Sequence, residues 1–182
     1  QAERAGTRIR REFRDGPQGG LDALRGAELS VTISRESPLS PDLALLMQRH
    51  SADMHAETPP ESIHMLDASE LAVPEVSFFV MREDGRAVGM GAFKRIDADH
   101  AEIKSMHVLS ELRGRGLSRL MLQHLMAEAR AAGFTRLSLE TGVQPGFVAA
   151  RRLYAAAGFQ ECGPFEGYWD DPNSVFMTRE LA

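Results

Sequence analysis

The sequence is poor in cysteine, in lysine and in net positive charge. Cys162 is the one cysteine among 182 residues, so the chain cannot form a disulfide within itself and offers no cysteine cluster to a metal. That usage fits a reducing, cytoplasmic setting. Lysine occurs only as Lys94 and Lys104, all other basic residues being arginine. With the many alanines this reads as the coding bias of a GC-rich bacterium. Lys+Arg is 21 against Asp+Glu 26, a formal net charge of −5. Such a chain has no basic field to hold a polyanion, so nucleic acid is excluded as a default partner. No apolar run approaches the roughly 18 residues that cross a membrane, and the arginine-bearing start lacks the apolar stretch of a signal peptide. Neither membrane association nor export is expected.

What is present is an ordinary balance of 43% hydrophobic and 26% charged residues, enough to close one core. Residues 1–27 are polar, arginine-rich and broken by Gly16, Pro17, Gly19 and Gly20. They predict an N-terminal arm, flexible or covering a partner surface, and residues 28–182 the folded domain. From Leu29, Val31 and Ile33 alternate with polar residues as in a half-buried strand. Ser40-Pro41 marks a helix start, with Leu43, Leu45, Leu46, Met47, His50 and Met54 along the helix until Pro59-Pro60 interrupts it. Asp67 and Glu70 stand at capping-box spacing for a short helix to Leu71. Val76–Glu83 and Arg86–Ile96 flank Asp84-Gly85, a hairpin turn pair, and Ala101–Leu109 continues the meander. A long helix from Leu117 to Ala132 stops at Gly133. Leu137–Thr141 is a strand, Phe147–Ala157 a helix closed by Gly158, and Ser174–Glu180 a last strand. An antiparallel meander followed by helical crossovers predicts an α/β sandwich with a mixed sheet.

The chemistry concentrates in Arg113-Gly114-Arg115-Gly116-Leu117-Ser118, between a predicted strand and the longest helix. Two glycines let the backbone turn its N–H groups toward one point, and the helix start adds unpaired amides and positive dipole charge. Arg113 and Arg115 carry charge suited to phosphate oxygens. No Gly-Lys-Ser/Thr follows, so this is not a Walker loop, and the glycine spacing is not that of a dinucleotide fold. A different pyrophosphate ligand is implied.

These residues resemble the Gln/Arg-x-x-Gly-x-Gly/Ala motif of the GNAT superfamily of acyl-CoA N-acyltransferases, with Ser118 at the last position, where Gly or Ala is usual. Ala150-Arg151-Arg152-Leu153-Tyr154-Ala155-Ala156-Ala157-Gly158-Phe159 is similar to the superfamily's Ala-x-x-x-Tyr-x-x-x-Gly-Phe segment. The resemblance spans about Leu29 to Leu181. It implies a mixed, mostly antiparallel sheet of about seven strands flanked by helices, and a small bacterial acetyltransferase. It further implies that acetyl-CoA is the co-substrate, with Arg113–Ser118 on its pyrophosphate and the backbone of Met106, His107 and Val108 on its pantetheine arm. A strand bulge there would aim N–H groups at the thioester carbonyl, Tyr154 would protonate the departing thiolate, and no metal is needed. Phe147 stands where many members have an asparagine.

Glu102 sits where some members place a general base, and its alternative is a structural pair with Lys104 two residues along the same strand face. Glu140 or His107 is next in line for that role. The resemblance further implies that Glu61, Ser62 and His64 are candidates to border the acceptor, with Tyr168 on a segment that closes the other side; the alternative is that these are solvated loop residues. His50, His55 and His64 do not have zinc-protease spacing. The expected reaction is direct acetyl transfer to a primary amine of a small molecule or peptide. The rival reading is a non-catalytic acyl-CoA sensor, which Phe147 favours and Tyr154 disfavours. The edge strands are compatible with a homodimer whose edge the arm covers.

Overall fold

The structure is a computed structural model and describes residues 7–9 and 30–181. Its strands are β1 (Thr7–Ile9), β2 (Val31–Arg35), β3 (Val76–Glu83), β4 (Arg86–Arg95), β5 (His100–Val108), β6 (Arg136–Gly142), β7 (Gln160–Cys162) and β8 (Ser174–Glu180). Its α-helices are α1 (Ala44–Glu57), α2 (Ala68–Leu71), α3 (Leu117–Ala131) and α4 (Val148–Ala156). One eight-stranded sheet runs in the order β1-β2-β3-β4-β5-β6-β8-β7. Every pairing is antiparallel except β5 with β6. The eighth strand, beyond the seven expected, is β1. It lies inside the anticipated arm and pairs with β2 through Thr7↔Ile33 to Ile9↔Val31. Leu29 and the rest of residues 1–27 fall outside the described residues.

The alternating strand pattern buries two clusters, one on each face. Phe79, Met81, Phe93, Ile103, Leu137 and Leu139 pack under Met121, Leu122, Leu125 and Ala129 of α3. Phe78, Val80, Met90 and Ala92 pack under Leu43, Leu46 and Leu71. Gly91 admits α3 closely, because a Cβ there would meet Leu125 Cδ1 at 3.0 Å and Met121 Cγ at 3.1 Å.

The turn signals hold locally. Asp84 and Gly85 both take positive φ, as a tight hairpin requires, and the Asp67–Glu70 capping box closes on α2. Two expectations are corrected. Ser40 precedes a 3-10 turn, Pro41–Leu43, but its hydroxyl makes no capping bond; the Leu43 amide donates to the Ser40 carbonyl at 3.0 Å instead. Leu45 is 43% exposed, while Leu43 and Leu46 carry the packing, since only one stripe of α1 faces the sheet.

Candidate active site

The site grows out of an interruption in the sheet. β5 and β6 run in parallel register from His100↔Arg136 to Ile103↔Leu139 and then part, while β6 stays paired with β8 as far as Gly142↔Ser174. On the other edge of β5 the register slips between Met90↔His107 and Ala92↔Lys104, so Gly91 alone opposes Ser105 and Met106. Ser105 takes a φ of 52°, and its buried hydroxyl has no hydrogen-bond partner. A bulge at this point turns backbone N–H groups out of the ladder.

A cleft of about 590 Å³ opens where the strands part. Met106, His107 and Val108 form one wall, Gly114, Gly116, Leu117 and Ser118 one end, and Phe147, Ala150 and Tyr154 the side formed by α4. Gly114 and Gly116 have φ of 79° and 75°, a conformation that glycine adopts at little cost. Gly116 has no side chain with which to cap α3, and the first intrahelical bond runs from Leu120 N–H to the Gly116 carbonyl at 3.2 Å. The amides of Leu117, Ser118 and Arg119 therefore precede the hydrogen-bonded helix, beside a Gly114 whose Cβ position is open space. Backbone amides presented in this way are suited to an anion such as a pyrophosphate.

The arginines are placed differently from a simple phosphate clamp. Arg113 Nη2 meets Asp53 Oδ2 at 2.6 Å. Arg115 forks onto Glu83 at 3.1 and 2.5 Å, and it does not line the cleft. Sequence reasoning also missed the contribution of α1. Asp53, Met54 and Glu57 close the cleft, and Glu57 accepts from the Gly146 amide at 2.8 Å. Acids four apart on a helix look like any solvated face, so no local signal marked them.

His107 also contributes its ring, which lies 5.4 Å from that of His50 in the cleft wall. Burial holds both imidazoles down to about 4, helped at His50 by the charge of His107; Asp53 works in the opposite direction. The Tyr154 hydroxyl stands 3.9 Å from Met106 Sδ. Burial, and secondarily the charge of Glu140, raises this phenol well above its ordinary value.

A second group assembles around the acceptor residues expected from the sequence. The Glu102 carboxylate is buried, 3.0 Å from Lys104 Nζ, and accepts from the Tyr168 hydroxyl at 2.5 Å. This is the structural partnership weighed against the base role. His64 packs edge-on against Tyr168 and Trp169, with ring centroids at 5.0 and 5.1 Å. Ser62 is buried and accepts from Asn173 Nδ2 at 3.2 Å. Glu61 is exposed and joins none of these contacts. Glu140 is the first β6 residue beyond the stretch paired with β5, and it accepts from Ser174 Oγ at 2.7 Å. Burial raises its carboxyl above the ordinary range, and the Ser174 hydrogen bond and then Lys104 oppose that rise.

Among the described residues no three His, Cys, Asp or Glu side chains converge to hold a metal, and no helix is long and apolar enough to cross a membrane.

Comparison with known proteins identifies the family. The chain is 45% identical over 136 residues to the uncharacterised N-acetyltransferase YsnE of Bacillus subtilis, covering 75% of this chain and 90% of that protein. A Klebsiella pneumoniae structure described as an acyl-CoA N-acyltransferase superposes with a TM-score of 0.70 at 29% identity, over 84% of this chain and 98% of the other. The Salmonella typhimurium protein yncA, solved with its cofactor acetyl-CoA, shares the fold with a TM-score of 0.61 at 21% identity, over 84% and 94%. A model of the acetyltransferase (GNAT) family matches residues 43–159, and the chain belongs to that family as an acyl-CoA-dependent N-acyltransferase.

Proposed function

We propose that the protein moves an acetyl group from acetyl-CoA to a primary amine, on a small molecule or a peptide, by direct attack within a ternary complex. The observation that carries this reading is the parting of β5 from β6, with the cleft and Tyr154 beside the gap and Glu140 at its apex. Acetyl-CoA supplies an acyl group activated as a thioester. The Arg113–Ser118 loop and the first amides of α3 hold its pyrophosphate, and the backbone of Met106 to Val108 pairs with its pantetheine arm. N–H groups freed at the bulge polarise the thioester carbonyl.

Two side chains move protons. Glu140 takes the proton from the acceptor ammonium so that the nitrogen lone pair can attack the carbonyl carbon. Burial, which raises its proton affinity, suits it to that task better than an exposed carboxylate. Tyr154, its raised phenol still protonated, gives its proton to the sulfur as the carbon–sulfur bond breaks, and the second proton shed by the attacking nitrogen restores the phenol. Glu102 serves the fold through Lys104 and Tyr168.

Free-thiol release from acetyl-CoA over a panel of amines tests the reading. Turnover is expected with at least one amine, and Tyr154→Phe should lower kcat roughly 10²- to 10⁴-fold at unchanged CoA affinity. Glu140→Gln should lose activity at neutral pH and recover part of it at high pH, where the amine arrives deprotonated. Glu102→Gln should lower the melting temperature with a pH-independent kinetic defect. A folded, CoA-binding protein that releases no thiol with any amine would instead be a sensor.

A further inference from the structure

The two segments that flank the acceptor residues hang from one ammonium. Lys104 Nζ reaches Glu102 Oε1 at 3.0 Å on its own strand, the Tyr168 hydroxyl at 2.6 Å between β7 and β8, and the His64 carbonyl at 3.3 Å between α1 and α2. The ammonium thus donates to two oxygens from distant segments and pairs its charge with the carboxylate on its own strand. The side chain is only 12% exposed, so water competes little for these bonds. Tyr168 completes a closed triangle by donating to Glu102 at 2.5 Å.

The two segments also touch directly. Asn173 donates to Ser62 at 3.2 Å, Ser62 bonds the Asp171 carboxylate, and His64 leans edge-on against Tyr168 and Trp169. His64 Nε2 and Asp171 Oδ2 are both buried without a hydrogen-bond partner and stand 4.0 Å apart, beyond bonding distance. These bonds tie Ser62 to residues 171–173, and Lys104 adds the tie between Tyr168 and the His64 backbone.

We infer that Lys104 is a positioning residue for the acceptor, fixing residues 62–64 and 165–173 at one separation across β5. The inference rests on the proposed transfer reaction in taking these segments as the acceptor side. Donating to both segments and paired with Glu102, Lys104 holds the walls of the acceptor site. Its loss loosens two segments distant in sequence together and leaves the coenzyme cleft, which it does not line, intact.

Amide hydrogen exchange of the free protein tests the tie without any acceptor. In Lys104→Met, exchange across both 62–64 and 165–173 should quicken roughly tenfold, the equivalent of losing one charged hydrogen bond. Tyr168→Phe should quicken 165–173 alone, since Lys104 keeps its bond to the His64 carbonyl. This second variant decides the matter if Lys104→Met fails to fold with Glu102 left unpaired. Wild-type exchange in both segments, or loosening of 62–64 but not 165–173 in Tyr168→Phe, would overturn the tie.

The kinetic arm uses spermidine, tyramine and an alanine-terminated peptide as probes. For any that turns over, KM should rise about tenfold with CoA affinity unchanged. A fall confined to kcat would overturn the positioning role. If none turns over, the transfer reading and the acceptor role fail with it, while the exchange data still decide the tie.

Discussion

The two sides of the parted strands are built from different material. The side proposed for the coenzyme is mostly backbone: two glycines at positive φ, a bulge at Ser105–Met106 and the unpaired amides that open α3. The side proposed for the acceptor is mostly side chain, with Lys104, Glu102, Tyr168, His64 and Asn173 meeting from three stretches of chain. A backbone site depends on where the chain can turn, so it tolerates many neighbours. A side-chain site depends on each partner arriving at bonding distance, and one substitution alters its shape. One scaffold can thus keep its coenzyme while its acceptor changes.

The largest predicted effect separates the two sides. Gly116→Glu should abolish CoA binding in calorimetric titration, because a carboxylate at the helix start repels the pyrophosphate. Gly116→Ala shares the strain of a φ of 75° without the charge, and should weaken binding far less. Neither should change exchange in residues 62–64 or 165–173. Equal losses in the two variants would make backbone shape, and not charge, the cause.

A smaller effect concerns the histidines in the wall of the cleft. His50 and His107 are held down to about 4, so between pH 6.5 and about 4 the unfolded chain binds protons that the folded chain does not. Stability is therefore full above pH 6.5 and falls as the pH drops toward 4, by roughly 3 kcal/mol per histidine at most. Thermal melting from pH 7 to pH 4 should follow that slope, and His107→Leu should flatten it. A melting temperature constant over this range would mean that the pair is solvated.

The same contrast explains what could be read from the sequence. Glycine spacing between a strand and a helix is a local signal, so the Gly114–Gly116 cradle was legible, as were the Asp84-Gly85 hairpin and the Asp67 capping box. Lys104 with Glu102 was legible as well, because residues two apart on a strand share a face. The arginine partners were not, since Asp53 and Glu83 come from 60 and 32 residues away. Nor was the place of Tyr168 on Lys104, 64 residues apart, which only the fold brings together. Leu45 failed for a subtler reason. Apolar spacing identifies a helix but does not set the width of the stripe that its neighbours cover.

Amide exchange with and without CoA tests the central claim most directly, because that claim concerns which amides the coenzyme covers. The account predicts new protection at 106–108 and 113–119, with 62–64 and 165–173 unchanged. Protection that appears in the acceptor segments and spares 113–119 would contradict it.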